Sequence, residues 1–205
     1  MDNGAVDIIF AGVGGQGSVL VSHLLADAAI ASGYNVKLTE TFGAAMRGGS
    51  VHAIVRVGEV WSPLPGKGKG HVVVGLEPLE ALRLSVDFIS DNSWIILNRV
   101  PWVPVDVSVG RVAYPEFNDI RKACKRMTDH IITLDATQEA EKLGNTRMMN
   151  IVMLGALMTL PFLDIDDQIL FDQMEIRWNS KIAELNTHAY QKGKEIALKQ
   201  IGTLP

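Results

Sequence analysis

Ile8-Ile9-Phe10-Ala11-Gly12-Val13-Gly14-Gly15-Gln16-Gly17-Ser18 is the stretch on which the fold turns. A short apolar run leads into glycines at 12, 14, 15 and 17, and the segment Val19 to Ala31 has the length and residue types of a buried helix. The pattern predicts strand, tight turn, helix. Gly12, Gly14 and Gly17 occupy the G-x-G-x-x-G positions, where the backbone turns sharply, approaches a ligand closely and lets the helix pack on the strand. Amides of the loop and first helical turn have no partner within the helix, which suits a phosphate or another anion. Two readings stand: a ligand loop using Gly12, Gly14, Gly15, Gln16 and Gly17, or a crossover turn whose glycines serve packing alone.

Beyond Gly33, read as the helix cap, Tyr34 to Glu40 predicts a second strand. Glu40 stands about twenty residues past the loop, where a dinucleotide-binding fold places the acid that holds a ribose hydroxyl. Its other reading is a solvated carboxylate. A second glycine loop, Arg47-Gly48-Gly49-Ser50, sets a guanidinium where backbone can come close, either as a fork for a carboxylate or phosphate or as a solvated side chain. Ser50 to Val57 alternates as a strand does, and Gly58-Glu59 predicts a hairpin into Val60-Trp61-Ser62. An antiparallel insertion here implies a mixed sheet.

Further strands are expected at Val72–Leu76, Trp94–Asn98 and His130–Ala136, with Val105 to Val112 able to form an edge hairpin. Helices are expected from Pro78, from Asp119 to Met127 and from Thr137 to Leu143. Glu77 and Glu80 are accounted for by the positive end of a helix, and Lys67 and Lys69 by solvent or by contact with an anion. From Thr146 onward the pattern is helical, with Met148, Met149, Met153, Leu154, Leu157 and Met158 forming an apolar stripe that suits core or an interface.

The chain has 205 residues, 47% of them hydrophobic and 20% charged, as expected of one globular domain over 1–205 with the helices from about 146 packed on it. A net charge of -4 speaks against a nucleic-acid surface, and no apolar run approaches the ~20 residues needed to cross a bilayer. No nucleic acid and no membrane are therefore expected as partners. Met1 to Asp7 carry no basic segment before an apolar one, so a cytoplasmic protein is expected. Cys124 is the sole cysteine, too few for a disulfide, a cysteine-based zinc site or an iron–sulfur cluster, and the five histidines lack ligand spacing. No metal site and no catalytic residue are assigned to the chain.

Gly12 to Gly17, Arg47 to Ser50, Ser62-Pro63-Leu64, Glu77 to Arg83, Asp135-Ala136 and Asn150 to Ala156 occur together and in order. As a set they resemble the gamma-type subunit of 2-oxoacid:ferredoxin oxidoreductases, most closely the beta subunits of the indolepyruvate branch. The resemblance runs over nearly the whole chain. It implies a three-layer α/β/α Rossmann-like domain with a mixed sheet and a helical C-terminal segment. It also implies a non-redox subunit that binds no cofactor alone, in a homo- or hetero-oligomer with a catalytic alpha subunit. That partner would hold thiamine diphosphate and iron–sulfur clusters, oxidising a 2-oxo acid such as pyruvate or indolepyruvate to an acyl-CoA and reducing ferredoxin. Coenzyme A is the co-substrate, and its phosphates are the leading candidate for Gly12, Gly14, Gly15, Gln16, Gly17, Arg47, Gly48 and Gly49. Two departures, Phe42 to Met46 before the arginine and His71 where an aspartate is usual, leave the oxo acid open. The rivals are a NAD-dependent oxidoreductase resting on the glycine loop and Glu40, and a non-catalytic binding module of another complex.

Overall fold

The structure, a computed structural model, describes residues 4–42, 49–102 and 113–202. Its frame is a six-stranded sheet of β1 (Val6–Val13), β2 (Val36–Phe42), β3 (Ser50–Val57), β4 (Val72–Gly75), β5 (Trp94–Asn98) and β6 (Ile131–Leu134). The spatial order is β2-β3-β1-β4-β5-β6. From β1 through β4 and β5 to β6 the pairs are parallel, whereas β3 runs antiparallel to both neighbours, so the sheet is mixed as expected. Parallel strands must be covered on both faces. One face carries α1 (Ser18–Ala31), α4 (Ala136–Lys142), α5 (Met149–Leu157), α6 (Asp167–Arg177) and α7 (Ser180–Ile201). The other carries α2 (Pro78–Phe88) and α3 (Phe117–Lys125).

The period-2 alternation of β1 divides the core. Ile8 and Phe10 join the α1 side, whereas Ile9 and Ala11 join the α2 side. In β3 the same alternation sends Ala53, Val55 and Val57 to the first cluster and Ile54 to the second.

Two expectations are corrected. Val60 to Ser62 form no strand, because β1 and β2 already occupy both edges of β3. Instead Gly58, at φ 114°, turns the chain away, and Arg56 Nη1 donates to the carbonyls of Ser62 (2.7 Å) and Leu64 (2.9 Å). The methionine stripe is core and not interface: every residue of α5 is buried, and of the six stripe residues only Met158 is partly exposed. The expected Val105 to Val112 hairpin lies outside the described residues.

Candidate functional site

The topology locates a crevice. β1 leads through α1 toward β2 on one side, β4 leads through α2 toward β5 on the other, and β1 and β4 are parallel neighbours. Their carboxyl ends therefore form a switch point, the place where open α/β sheets bind ligands. The glycine loop lies there.

Each glycine of the motif has a local reason. A β-carbon on Gly12 would stand 2.7 Å from Ser18 Oγ and 2.9 Å from Gln16 Oε1. Gly17 caps α1 at φ 81°, and a β-carbon there would stand 2.3 Å from Asn150 Nδ2. Gly14 donates its amide to the Gly49 carbonyl at 2.9 Å, so the end of the second glycine loop is docked on the first. Arg47 and Gly48 lie outside the described residues. Gln16 is 7% exposed and braces the loop from within: Oε1 accepts the Val13 amide at 2.9 Å, and Nε2 donates to the Leu76 carbonyl at 3.2 Å. Asn98 Nδ2 donates to the same carbonyl at 3.1 Å. What remains open to an anion is Gly15, at φ 108°, and the first turn of α1, where the amides of Ser18, Val19 and Leu20 have no intrahelical acceptor.

Glu40 does not complete a dinucleotide site. β3 intervenes between β1 and β2, which places the Glu40 strand about 10 Å from β1. Its carboxylate pairs with His23 Nε2 at 2.9 Å. The antiparallel insertion thus removes the geometry that a ribose-binding acid requires.

Beside the crevice, Glu77 and Glu80 are more constrained than a helix end alone demands. Glu77 is 2% exposed, caps α2 by accepting the Glu80 amide at 2.8 Å, and accepts a hydrogen bond from the Tyr114 hydroxyl. Burial raises the Glu77 pKa, against the pull of those donors. Glu80 accepts from Ser50 Oγ at 2.7 Å and from Arg83 Nη1 at 2.5 Å. Burial lowers the His52 pKa, opposed by the Glu80 charge. Both carboxylates are thus committed to holding β3, α2 and the segment at Tyr114 together.

The partners of Tyr114, Asn98 and Asn150 are invisible to motif reading because each lies across a long span of chain; Asn150 Nδ2 reaches the Gly17 carbonyl at 3.1 Å over 133 residues. The clue available was that Asn150 opens one of the ordered motifs. Lys67 and Lys69 sit at the opposite end of the sheet, Lys67 3.9 Å from Asp87 and Lys69 on a cavity of about 530 Å³ beside Asp7 and His71. Cys124 is fully buried, and burial pushes its thiol pKa up to about 11. A lone buried thiol does not fit an iron–sulfur cluster, which takes four thiolates. Among the described residues no group of three or more His, Cys, Asp or Glu is placed to hold a metal, and no helix is long and apolar enough to cross a membrane.

A doubly wound mixed sheet with a glycine loop at its switch point defines the class. Residues 7–196 match the family model described as pyruvate ferredoxin/flavodoxin oxidoreductase, and the chain belongs to that family. It is 36% identical to the indolepyruvate oxidoreductase subunit IorB of Archaeoglobus fulgidus over 94% of this chain and 96% of that one. With IorB of Thermococcus kodakarensis it shares 32% identity over 96% and 98% of the respective chains. Among solved structures, pyruvate oxidoreductase subunit PORC of Thermotoga maritima superposes with a TM-score of 0.71 at 23% identity, covering 94% of this chain and 96% of that one. A 2-oxoglutarate:ferredoxin oxidoreductase of Magnetococcus marinus gives a TM-score of 0.72 at 22% identity over 95% of this chain, but over only 31% of its own longer chain. The protein is thus of the kind that forms a subunit of 2-oxoacid oxidoreductases.

Proposed function

We propose that this chain is the non-redox subunit of an indolepyruvate-type 2-oxoacid:ferredoxin oxidoreductase, and that its glycine loops receive the anionic groups of coenzyme A. The substrate branch is supported by relatives named indolepyruvate oxidoreductase subunits at 30–36% identity over nearly the full chain. The co-substrate is supported by the Magnetococcus marinus neighbour, which is described with 2-oxoglutarate, coenzyme A and succinyl-CoA bound. That the same fold forms less than a third of that longer chain supports a module working against further polypeptide. The partner in this reading is a catalytic alpha subunit carrying thiamine diphosphate and iron–sulfur clusters, in the cytoplasm. The complex breaks the bond between C1 and C2 of the oxo acid, releases carbon dioxide, passes both electrons to ferredoxin and leaves the acyl group on the coenzyme A sulfur.

The observation that carries the site is the Gly14–Gly49 hydrogen bond. It sets the end of the Arg47-Gly48-Gly49 loop against the first loop, beside the open amides of α1. A helix end alone is worth only about 0.3 to 1 kcal/mol to an anion, so the guanidinium of Arg47 would supply much of the affinity, at roughly 1.5 to 3 kcal/mol. The test is reconstitution with the catalytic partner. The chain alone should reduce neither ferredoxin nor viologen, and Arg47→Ala in the complex should raise the Michaelis constant for coenzyme A about ten-fold with the maximal rate intact. Oxo-acid oxidation by the chain alone, or an unchanged coenzyme A dependence in Arg47→Ala, would overturn the respective half of the reading.

A further inference from the structure

At the end of the sheet away from the glycine loops, a cavity of about 530 Å³ opens at the amino ends of β1, β4 and β5. The length of β1, about 25 Å, separates the two places. Glycines let the segment 66–70 run along the cavity: Gly68 sits at φ 69°, and a β-carbon on Gly70 would stand 2.8 Å from the Phe88 carbonyl oxygen. Residues 59–62, which lead into the Ser62-Pro63-Leu64 motif, form a further wall. They have no regular structure, yet Arg56 Nη1 grips the Ser62 and Leu64 carbonyls. On this braced segment Trp61 is 96% exposed and makes no ring contact or hydrogen bond among the described residues. An indole held out on a fixed backbone is preorganised to stack, since a ligand has little freedom to take from it.

The charges that line the cavity are of both signs. Asp7 and Arg56 neutralise one another, and Lys69 and Glu59 add one charge of each sign on its exposed part. Glu59 Oε1 accepts from Asn35 Nδ2 at 2.6 Å, and Oε2 accepts no hydrogen bond among the described residues. His71 Nδ1 accepts the Asp7 amide at 3.1 Å, so the proton of the neutral ring is on Nε2. That N–H has no acceptor among the described residues. Phe162 packs on the His71 ring edge to face, with centroids 5.7 Å apart, and helps to fix its orientation.

We propose that this cavity binds a free aromatic amino acid as its zwitterion, with the ring against Trp61, the carboxylate toward His71 Nε2 and Lys69, and the ammonium toward Glu59. The proposal goes beyond the coenzyme A reading and does not rest on it. Size admits a small molecule, since such sites span about 300 to 1,000 Å³. Charge selects within that class. A lining whose formal charges cancel has a counterpart for each end of a zwitterion, and each end needs one because an unpaired charge is costly to desolvate. A phosphate ester fits less well: the Arg56 guanidinium is spent on Asp7, Ser62 and Leu64, which leaves a dianion to face Lys69 across from Glu59. The ring requirement follows from Trp61, because an amino acid with a small side chain would leave the indole in water.

The experiment is calorimetric titration of the full chain with L-tryptophan and with probes that each lack one group: tryptamine the carboxylate, indole-3-propionate the ammonium, glycine the ring. L-tryptophan should saturate one to one, and each probe should bind about ten-fold more weakly or worse. Trp61→Ala should weaken L-tryptophan about ten-fold with the melting temperature unchanged, since so exposed an indole supports nothing in the fold. His71→Asn keeps an acceptor for the Asp7 amide but loses the Nε2 donor. It should weaken L-tryptophan and indole-3-propionate and leave tryptamine as it was. Glu59→Gln keeps an acceptor for Asn35 and should weaken L-tryptophan and tryptamine, leaving indole-3-propionate as it was. No saturation by L-tryptophan, a probe that binds as tightly, or binding indifferent to Trp61→Ala would overturn the proposal. His71→Asn or Glu59→Gln acting equally on all ligands would overturn the zwitterion's placement. The coenzyme A reading is tested apart: Arg47→Ala should leave L-tryptophan binding unchanged, and its failure to alter the coenzyme A dependence removes that reading while this site stands.

Discussion

Gly193 of α7 lies so close to Val152 of α5 that a β-carbon on the glycine would stand 1.8 Å from the Val152 carbonyl oxygen. The contact is mirrored one turn away, where a β-carbon on Gly155 would stand 1.9 Å from the Tyr190 carbonyl oxygen. Two helices thus meet backbone to backbone, each supplying one glycine.

Gly193→Ala should therefore destabilise the protein by about 3 kcal/mol or more, since the clash is with backbone that cannot rotate aside. The higher helix propensity of alanine works the other way but is worth only about 1 kcal/mol. Urea unfolding decides the sign, and a midpoint equal to or above that of the wild type would mean that the seam can open without loss.

Gln16 joins the glycine loop to the end of β4 through one acceptor and one donor. Gln16→Leu strands the buried Val13 amide and should cost about 1 to 3 kcal/mol. The Leu76 carbonyl keeps its Asn98 donor, so its loss counts for less. Gln16→Glu should not rescue, because it presents a second acceptor to that carbonyl. Full stability in the glutamate variant would contradict this account of the brace.

His71 Nδ1 accepts the Asp7 amide at 3.1 Å, which requires the ring nitrogen to be unprotonated. Burial lowers the His71 pKa below 6.5; the Asp7 charge opposes the shift and Arg56 adds to it. With the folded value depressed, this contribution to stability is present above the unfolded value and is lost as pH falls through the folded one. Unfolding free energy should accordingly decline as pH drops below about 6.5. His52 shifts in the same direction and shares the effect. His71→Asn, whose carbonyl can accept the amide without titrating, should show a shallower decline; a slope identical to the wild type would exclude His71 as its source.

Arg56 and Asp7 form a buried pair, Nε to Oδ1 at 2.6 Å, with side chains only 13% and 5% exposed. Removing either partner alone should cost about 3 to 5 kcal/mol, since it leaves a charge buried without its counterpart. Arg56→Met combined with Asp7→Asn should cost clearly less than the sum of the two, by about 1 kcal/mol or more. Arg56→Met should also admit protease at residues 59–66 earlier than Asp7→Asn does, because the arginine, and not the aspartate, donates to the Ser62 and Leu64 carbonyls. Additive costs would place the two residues in separate roles.

Local chemistry was enough to read the elements. The apolar run before Gly12, the cap at Gly33, the proline that opens α2 and the alternation in Ser50 to Val57 are signals carried by neighbours in sequence, and the strands and helices appeared where those signals stand. The mixed sheet followed from the same alternation, and the family from motifs kept in order along the chain. Which elements pair was a tertiary matter. β3 displaced β2 from β1 because pairing is settled by the free energy of the whole sheet; that one insertion set Glu40 beside His23, 2.9 Å away, and left Val60 to Ser62 without a strand to join. The methionine stripe read as core or interface until α7 was seen to cover it, for an apolar face does not state what buries it. Gln16 turned inward onto a carbonyl 60 residues away, and Asn150 reached the loop across 133. Sequence periodicity carries no distance information at that range, and only the packed chain supplies it.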